Sequence, residues 1–195
     1  MEVDYKKITN DYVLNKQKTF EKVIQAAADI ESFKSISFHN YNLDPDRLKP
    51  FAIENVLYFF KITNNQEGLS LLVCKEIQKL KDNPETKIKL PKVNLNNVQL
   101  SFEDNKILYV GKSSGNFSTR LKQHFGNESK KTYALHLNKW ANNEILSKVK
   151  LELYYTSIDL LKYDLKDKEE KLEFIEQLES ALHLHLKPIL GRTGH

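Results

Sequence analysis

The 195-residue sequence is poor in several residues that usually announce chemistry or location. It holds one cysteine, Cys74, one tryptophan and one methionine. A single thiol excludes an intramolecular disulfide and a cysteine-built zinc site within one chain. It fits a reducing compartment, and the cytoplasm is the expected location. Long apolar runs are also lacking. The longest, Val56 to Phe60, falls far short of the ~20 residues of a membrane span, so no transmembrane helix is expected. Met1–Lys7 is charged and has no apolar core, so no secretory signal is expected either. Apolar residues make up 40% and aromatics 10%, enough for a real core and too much for a disordered chain. The length suits one compact domain with additions.

Net charge is a mild +4, but it is unevenly placed. Residues 105–150 carry nine Lys and Arg against Glu128 and Glu144, a local net of +7. Residues 151–182 carry four Lys and nine acids, a local net of −5. Such a field can seat a polyanion on the first segment; a solvated Lys-rich surface is the plainer reading.

Periodicity predicts the elements. Residues 2–31 read as a helix on the spacing of Phe20, Val23, Ile24, Ala27 and Ala28. With the connector that follows, they form an N-terminal helical arm over 1–55. Asn55–Ile62 is apolar, β-branched and aromatic, a strand. Residues 67–82 read as an amphipathic helix, and 83–105 as a long loop with a short strand at 98–102. Lys106–Val110 is a second strand and Gly111–Asn116 a flexible turn. Helices follow at 117–125 and 132–143, a strand at 149–155, and a helix at 167–186 stopped by Lys187-Pro188. Three short strands with helices predict a small α+β domain.

Two tempting motifs fail. Gly111-Lys112-Ser113 follows a strand, but a phosphate loop also needs a glycine where Lys106 stands. His183 and His185 are two apart and cannot share a helix face, so one packed and one solvated histidine is expected. Tyr109, Arg120, His124 and Glu179 form a better set. Arg120 and His124 are four apart on one helix, and Glu179 lies beside the stripe of Ile175, Leu178 and Leu182. A carboxylate can hold a hard divalent cation. An arginine can grip phosphate oxygens, and a tyrosine or histidine can take a proton from water.

These residues fall into ordered segments: Val56-Leu57-Tyr58, then Tyr109-Val110-Gly111-Lys112, then Arg120-Leu121-Lys122-Gln123-His124-Phe125, then Leu178-Glu179-Ser180 with Lys187-Pro188 beyond. In this order they resemble the motifs of the GIY-YIG nuclease superfamily, over about 56–191. The resemblance implies a small three-stranded antiparallel sheet flanked by helices, a nuclease domain over 56–195, and endonuclease chemistry on DNA with one divalent ion, Mg²⁺ or Mn²⁺. It implies Tyr109 as general base or its activator, with Tyr58 orienting water or phosphate. Arg120 would sit on the scissile phosphate, and His124 in proton transfer or phosphate contact. Glu179 would be the sole protein ligand of the metal. Lys112, Lys122, Lys130 and Lys131 are candidate nucleic-acid contacts. A tyrosine with a pKa of ~10 is a poor base at neutral pH, so nearby positive charge or a share in the proton by His124 is required.

Three departures mark this sequence. Val56 stands where the family has glycine. The two tyrosines are 51 residues apart, which makes 66–105 an insert, either touching DNA or padding the surface. Gly191 stands where the family often has asparagine. A restriction-like or mobile-element nuclease fits the length, and cutting both strands would call for a homodimer. The alternative is a catalytically inactive nucleic-acid-binding module of the same fold.

Overall fold

The computed structural model describes residues 4–29, 33–38, 45–99 and 105–192. Its centre is an antiparallel four-stranded sheet of β1 (Lys34–Phe38), β2 (Val56–Ile62), β3 (Ile107–Ser113) and β4 (Leu151–Ser157), in the order β1-β4-β2-β3. The sequence predicts three strands. The fourth, β1, comes from the connector and adds to the free side of β4, pairing Lys34 with Tyr155 through Phe38 with Leu151. Only Phe38 of β1 is buried, so the strand carries little apolar signal and forms by pairing. The loop expected at 83–105 instead contains a short helix, α3 (Leu95–Gln99). Most of the strand expected at 98–102 lies outside the described residues. The helix expected at 132–143 is a 3-10 turn at Leu137–Asn142, with another at Leu146–Lys148.

Alternation along β2 sends Tyr58, Phe60 and Ile62 to one face of the sheet and Leu57 to the other. The first face is covered by α2 (Leu69–Asp82), α4 (Phe117–Phe125) and a 3-10 turn at Pro45–Phe51. Leu69, Val73, Cys74 and Ile77 of α2 join this core, with Phe117, Leu121 and Phe125 of α4 and Leu48 and Phe51 of the turn. Cys74 is fully buried, and burial pushes its thiol up to about 12. The second face takes α5 (Lys168–Leu186) and, outside it, α1 (Tyr5–Asp29). Leu57 meets Phe174, Ile175 and Leu178 of α5 and Val23 and Ala26 of α1 there. Lys16–Glu173 and Lys22–Glu170 ion pairs tie the two helices. The inward stripe of α1 is thus Thr19, Val23 and Ala26, while Phe20 and Ile24, assigned to the inner face by their spacing, are exposed. No helix among the described residues is long and apolar enough to cross a membrane.

α5 begins on a reciprocal cap. Asp167 accepts from Glu170 N–H, and the Glu170 carboxylate accepts from Lys166 N–H. The helix ends at Lys187 in the left-handed region. The chain then runs along the outer edge of β3, where the N–H groups of Ile189 and Leu190 donate to the carbonyls of Ile107 and Leu108.

The 66–105 insert holds this return. Asn94 Nδ2 donates to the carbonyls of Pro188 and Gly191, Asn97 Nδ2 to Pro188, and Asn105 Nδ2 to Lys187. Gly191 N–H donates to the Lys92 carbonyl.

Candidate active site

Strand register brings the two tyrosines together. Tyr58 lies opposite Gly111, and Tyr109 lies opposite Phe60, on the face covered by α4. Their rings are 6.3 Å apart between centroids. Gly111 permits this: a Cβ there would stand 2.5 Å from Tyr58 Oη and 2.8 Å from Tyr109 Cε1. The Gly-Lys-Ser stretch, expected as a turn, is therefore the end of β3, pairing with Val56 to Tyr58. Its glycine serves close packing of two rings.

Arg120 and His124, one turn apart on α4, meet these tyrosines. Arg120 Nε donates to Tyr58 Oη at 2.9 Å and Nη2 to Tyr109 Oη at 3.1 Å. Nη1 donates to Gln123 Oε1 and Nη2 also to the Tyr133 carbonyl. Four of the five guanidinium donors are therefore engaged.

His124 is wholly buried, and burial, followed by Arg120 and His136, holds its pKa well below the usual range. Its ring is neutral at physiological pH. Nδ1 accepts from Leu135 N–H at 3.2 Å, so the ring proton is on Nε2, which donates to Tyr58 Oη at 2.8 Å. Tyr58 Oη thus accepts from both Arg120 and His124. The Tyr109 oxygen accepts from Arg120 as well.

Burial raises the pKa of both tyrosines, and this outweighs the lowering by Arg120. Both are phenols at neutral pH in the free protein. The positive charge that the sequence calls for is present at Arg120 and does not by itself yield a phenolate.

Glu179 comes from α5 and lies close enough to Tyr109 and Arg120 to interact with them electrostatically. Burial pushes its carboxyl up to about 7, against the pull of Lys112 and Arg120. It makes no hydrogen bond or ion pair with the described residues. Its neighbour Lys112 is spoken for by Glu176 at 2.5 Å. Lys122 is half-buried on α4, while Lys130 and Lys131 are exposed in the loop leading to Tyr133. Lys89, which no sequence motif marks, joins them with its ammonium 5.5 Å from the Tyr133 ring centroid.

Of the histidine pair, His183 is packed and His185 exposed, as expected. Burial lowers the His183 pKa. Its Nε2 has no hydrogen-bond partner among the described residues, and it lies beside Gly191 near the edge of the Tyr109 ring. The sequence signal for it is the four-residue step from Glu179, a spacing that shares a helix face.

A half-buried carboxyl without a partner among the described residues fits a divalent cation. No group of three or more His, Cys, Asp or Glu among the described residues could hold one. Oxygens from water and substrate would complete the coordination of a hard ion.

Residues 99–178 match the family model described as the GIY-YIG catalytic domain. The match takes in Tyr109, Arg120 and His124. Tyr58 and Glu179 lie outside it and join the site through the fold. No curated protein and no solved structure matches the chain.

Proposed function

We propose, on the premise that this chain carries a GIY-YIG nuclease domain, that it is a divalent-metal-dependent DNA endonuclease. The observation that carries the reading is the single guanidinium bonded to both phenols, with an unpartnered carboxyl beside them. Pure packing would not call for this arrangement, since buried polar groups are costly unless they are satisfied.

Hydrogen-bond direction and burial support the following roles. Arg120 and His124 donate to Tyr58, and Arg120 also donates to Tyr109. Tyr58 is fully enclosed, whereas Tyr109 is 9% exposed and is the phenol that a water can reach. Tyr109 would release its proton to solvent and, as phenolate, take one from the attacking water. The hydrogen bond from Arg120 Nη2 holds that phenolate. His124 acts through Tyr58 as a positioning residue, because its acceptor nitrogen is occupied by Leu135 N–H. The remaining Arg120 donor, on Nη1, meets a phosphate oxygen. Glu179 would hold the cation, Mg²⁺ or Mn²⁺. When bound, the cation supplies Lewis acidity to the phosphate and charge stabilisation to the leaving oxygen.

Lys130 and Lys131, with Lys122 and Lys112 nearer the site, would receive the DNA backbone. Residues 56–195 form the nuclease domain in this reading. Its biological setting is a restriction-like or mobile-element role, and a homodimer would place two sites on two strands.

The test is nicking of supercoiled plasmid with Mg²⁺, Mn²⁺ or EDTA, beside Tyr109→Phe and Glu179→Ala. Metal-dependent nicking that is lost in both folded variants is expected. Cleavage retained in a folded Glu179→Ala protein would overturn the metal assignment. Absence of cleavage on plasmid and on branched DNA alike would favour the binding module.

A further inference from the structure

His183 lies one helical turn beyond Glu179 on α5. Two ligating side chains four residues apart on a helix can grip one cation, as in a helical His-x-x-x-His zinc site. His183 is only 5% exposed, and its Nε2 lacks a partner among the described residues. A buried polar atom is normally satisfied, and an exception wants an explanation such as an ion.

The surroundings are built rather than loose. A Cβ added at Gly191 would stand 3.6 Å from His183 Nε2 and 3.5 Å from Tyr109 Cε2. Room for about one methyl group therefore lies between the imidazole and the edge of the Tyr109 ring. Gly191 keeps it open: its φ of +114° is one that residues with a Cβ rarely adopt. The Gly191 backbone is fixed on both sides, its N–H donating to the Lys92 carbonyl and its carbonyl accepting from Asn94 Nδ2. Strand β3, helix α5 and the insert thus converge on the backbone of Gly191, beside which the bare nitrogen lies.

We propose that His183 is a second protein ligand, through Nε2, of the divalent cation that Glu179 holds. This rests on the metal-dependent reading above. An imidazole beside a carboxylate changes which ion the site prefers. Imidazole suits later first-row metals, whereas carboxylate, carbonyl and water suit Mg²⁺. The site accordingly favours Mn²⁺ over Mg²⁺, and His183 is the cause.

The experiment uses the full chain with Mn²⁺ alone. Calorimetry gives the affinity, and pulsed electron paramagnetic resonance detects a nitrogen bonded to the bound ion. The wild type is expected to show ¹⁴N modulation. His183→Ala should lose it and bind Mn²⁺ about tenfold or more weakly, with a smaller loss for Mg²⁺, while Glu179→Ala should abolish binding of both. Should His183→Ala fail to fold, the nitrogen signal of the wild type still decides, because its absence overturns the proposal. Mn²⁺ bound in a Glu179-dependent way, with unchanged affinity or a persisting nitrogen signal in folded His183→Ala, overturns the proposal and leaves the metal-dependent reading standing. No Mn²⁺ binding by the wild type overturns both.

Discussion

Gly111→Ala is predicted to disable the site far more than it disturbs the fold. The added Cβ would meet Tyr58 Oη at 2.5 Å, Tyr58 Cζ at 2.6 Å and Tyr109 Cε1 at 2.8 Å. Ordinary contact begins near 3.4 Å, so Tyr58 must retreat by about 0.9 Å and Tyr109 by about 0.6 Å. Tyr58 has no room for this. It is fully buried, with its ring against those of Phe60 and Phe117. Overpacking of this kind costs about 1–3 kcal/mol. At about 2–4 °C per kcal/mol for a chain of this size, Tm falls by roughly 2–12 °C, and the protein stays folded at 25 °C. The same displacement breaks the geometry by which Arg120 holds both oxygens. A misplacement of about 1 Å can cost ~10²-fold in rate. The assay is the initial rate of plasmid nicking with Mn²⁺, read beside a thermal melt. A loss of about 100-fold in a folded protein is expected. A Gly111→Ala protein that nicks at the wild-type rate would refute the claim that these two tyrosines must sit this close to work.

Two further outcomes follow from the charges. The carboxyl of Glu179 ionises near 7 in the folded chain, above its ordinary 4.5. The folded state then holds the proton more tightly than the unfolded state, so this group's contribution makes stability fall as pH rises from about 4.5 through 7. Glu179→Gln should therefore raise Tm at pH 8 in the absence of metal and leave it unchanged near pH 4; equal shifts at both would contradict the burial argument. Lys130→Ala with Lys131→Ala should weaken DNA binding. The slope of log affinity against log salt should become shallower by about 1 for each phosphate no longer neutralised. An unchanged slope, measured by fluorescence anisotropy, would remove these lysines from the interface.

The legible parts of the sequence are those whose burial is one-sided and local. β2, β3, β4, α2, α4 and α5 each carry an apolar period that matches the face they bury. Strand β1 reads Lys-Ser-Ile-Ser-Phe with one buried residue, and only pairing with β4 makes it a strand. Gly111-Lys112-Ser113 has the composition of a turn, yet cross-strand bonds to Val56–Tyr58 extend β3 through it. The α1 stripe misleads because Phe20 and Ile24 have a helical spacing whichever way the helix is turned; its rotation is set by packing on α5. In the site, Tyr58, Tyr109, Arg120, His124 and Glu179 stand in ordered motifs, and the structure places them around one point. The direction of the hydrogen bonds is beyond the sequence, since the Leu135 N–H that fixes the His124 tautomer is backbone. So is the purpose of Asn94, Asn97 and Asn105, whose partners are carbonyls some 80 to 100 residues away.

The return of the chain along β3 also bears on how the protein behaves in a crowd. A bare sheet edge is a template for other chains, and proteins commonly cover or blunt it. Here the strand that carries Tyr109 has its outer edge closed by Ile189 and Leu190. The opposite edge is β1, five residues long and led by exposed Lys34. Short length and a charge are what discourage pairing there. The working strand is thus shielded from stray backbone, and if another chain were to add to this sheet, it would do so at β1, three strands away from the chemistry.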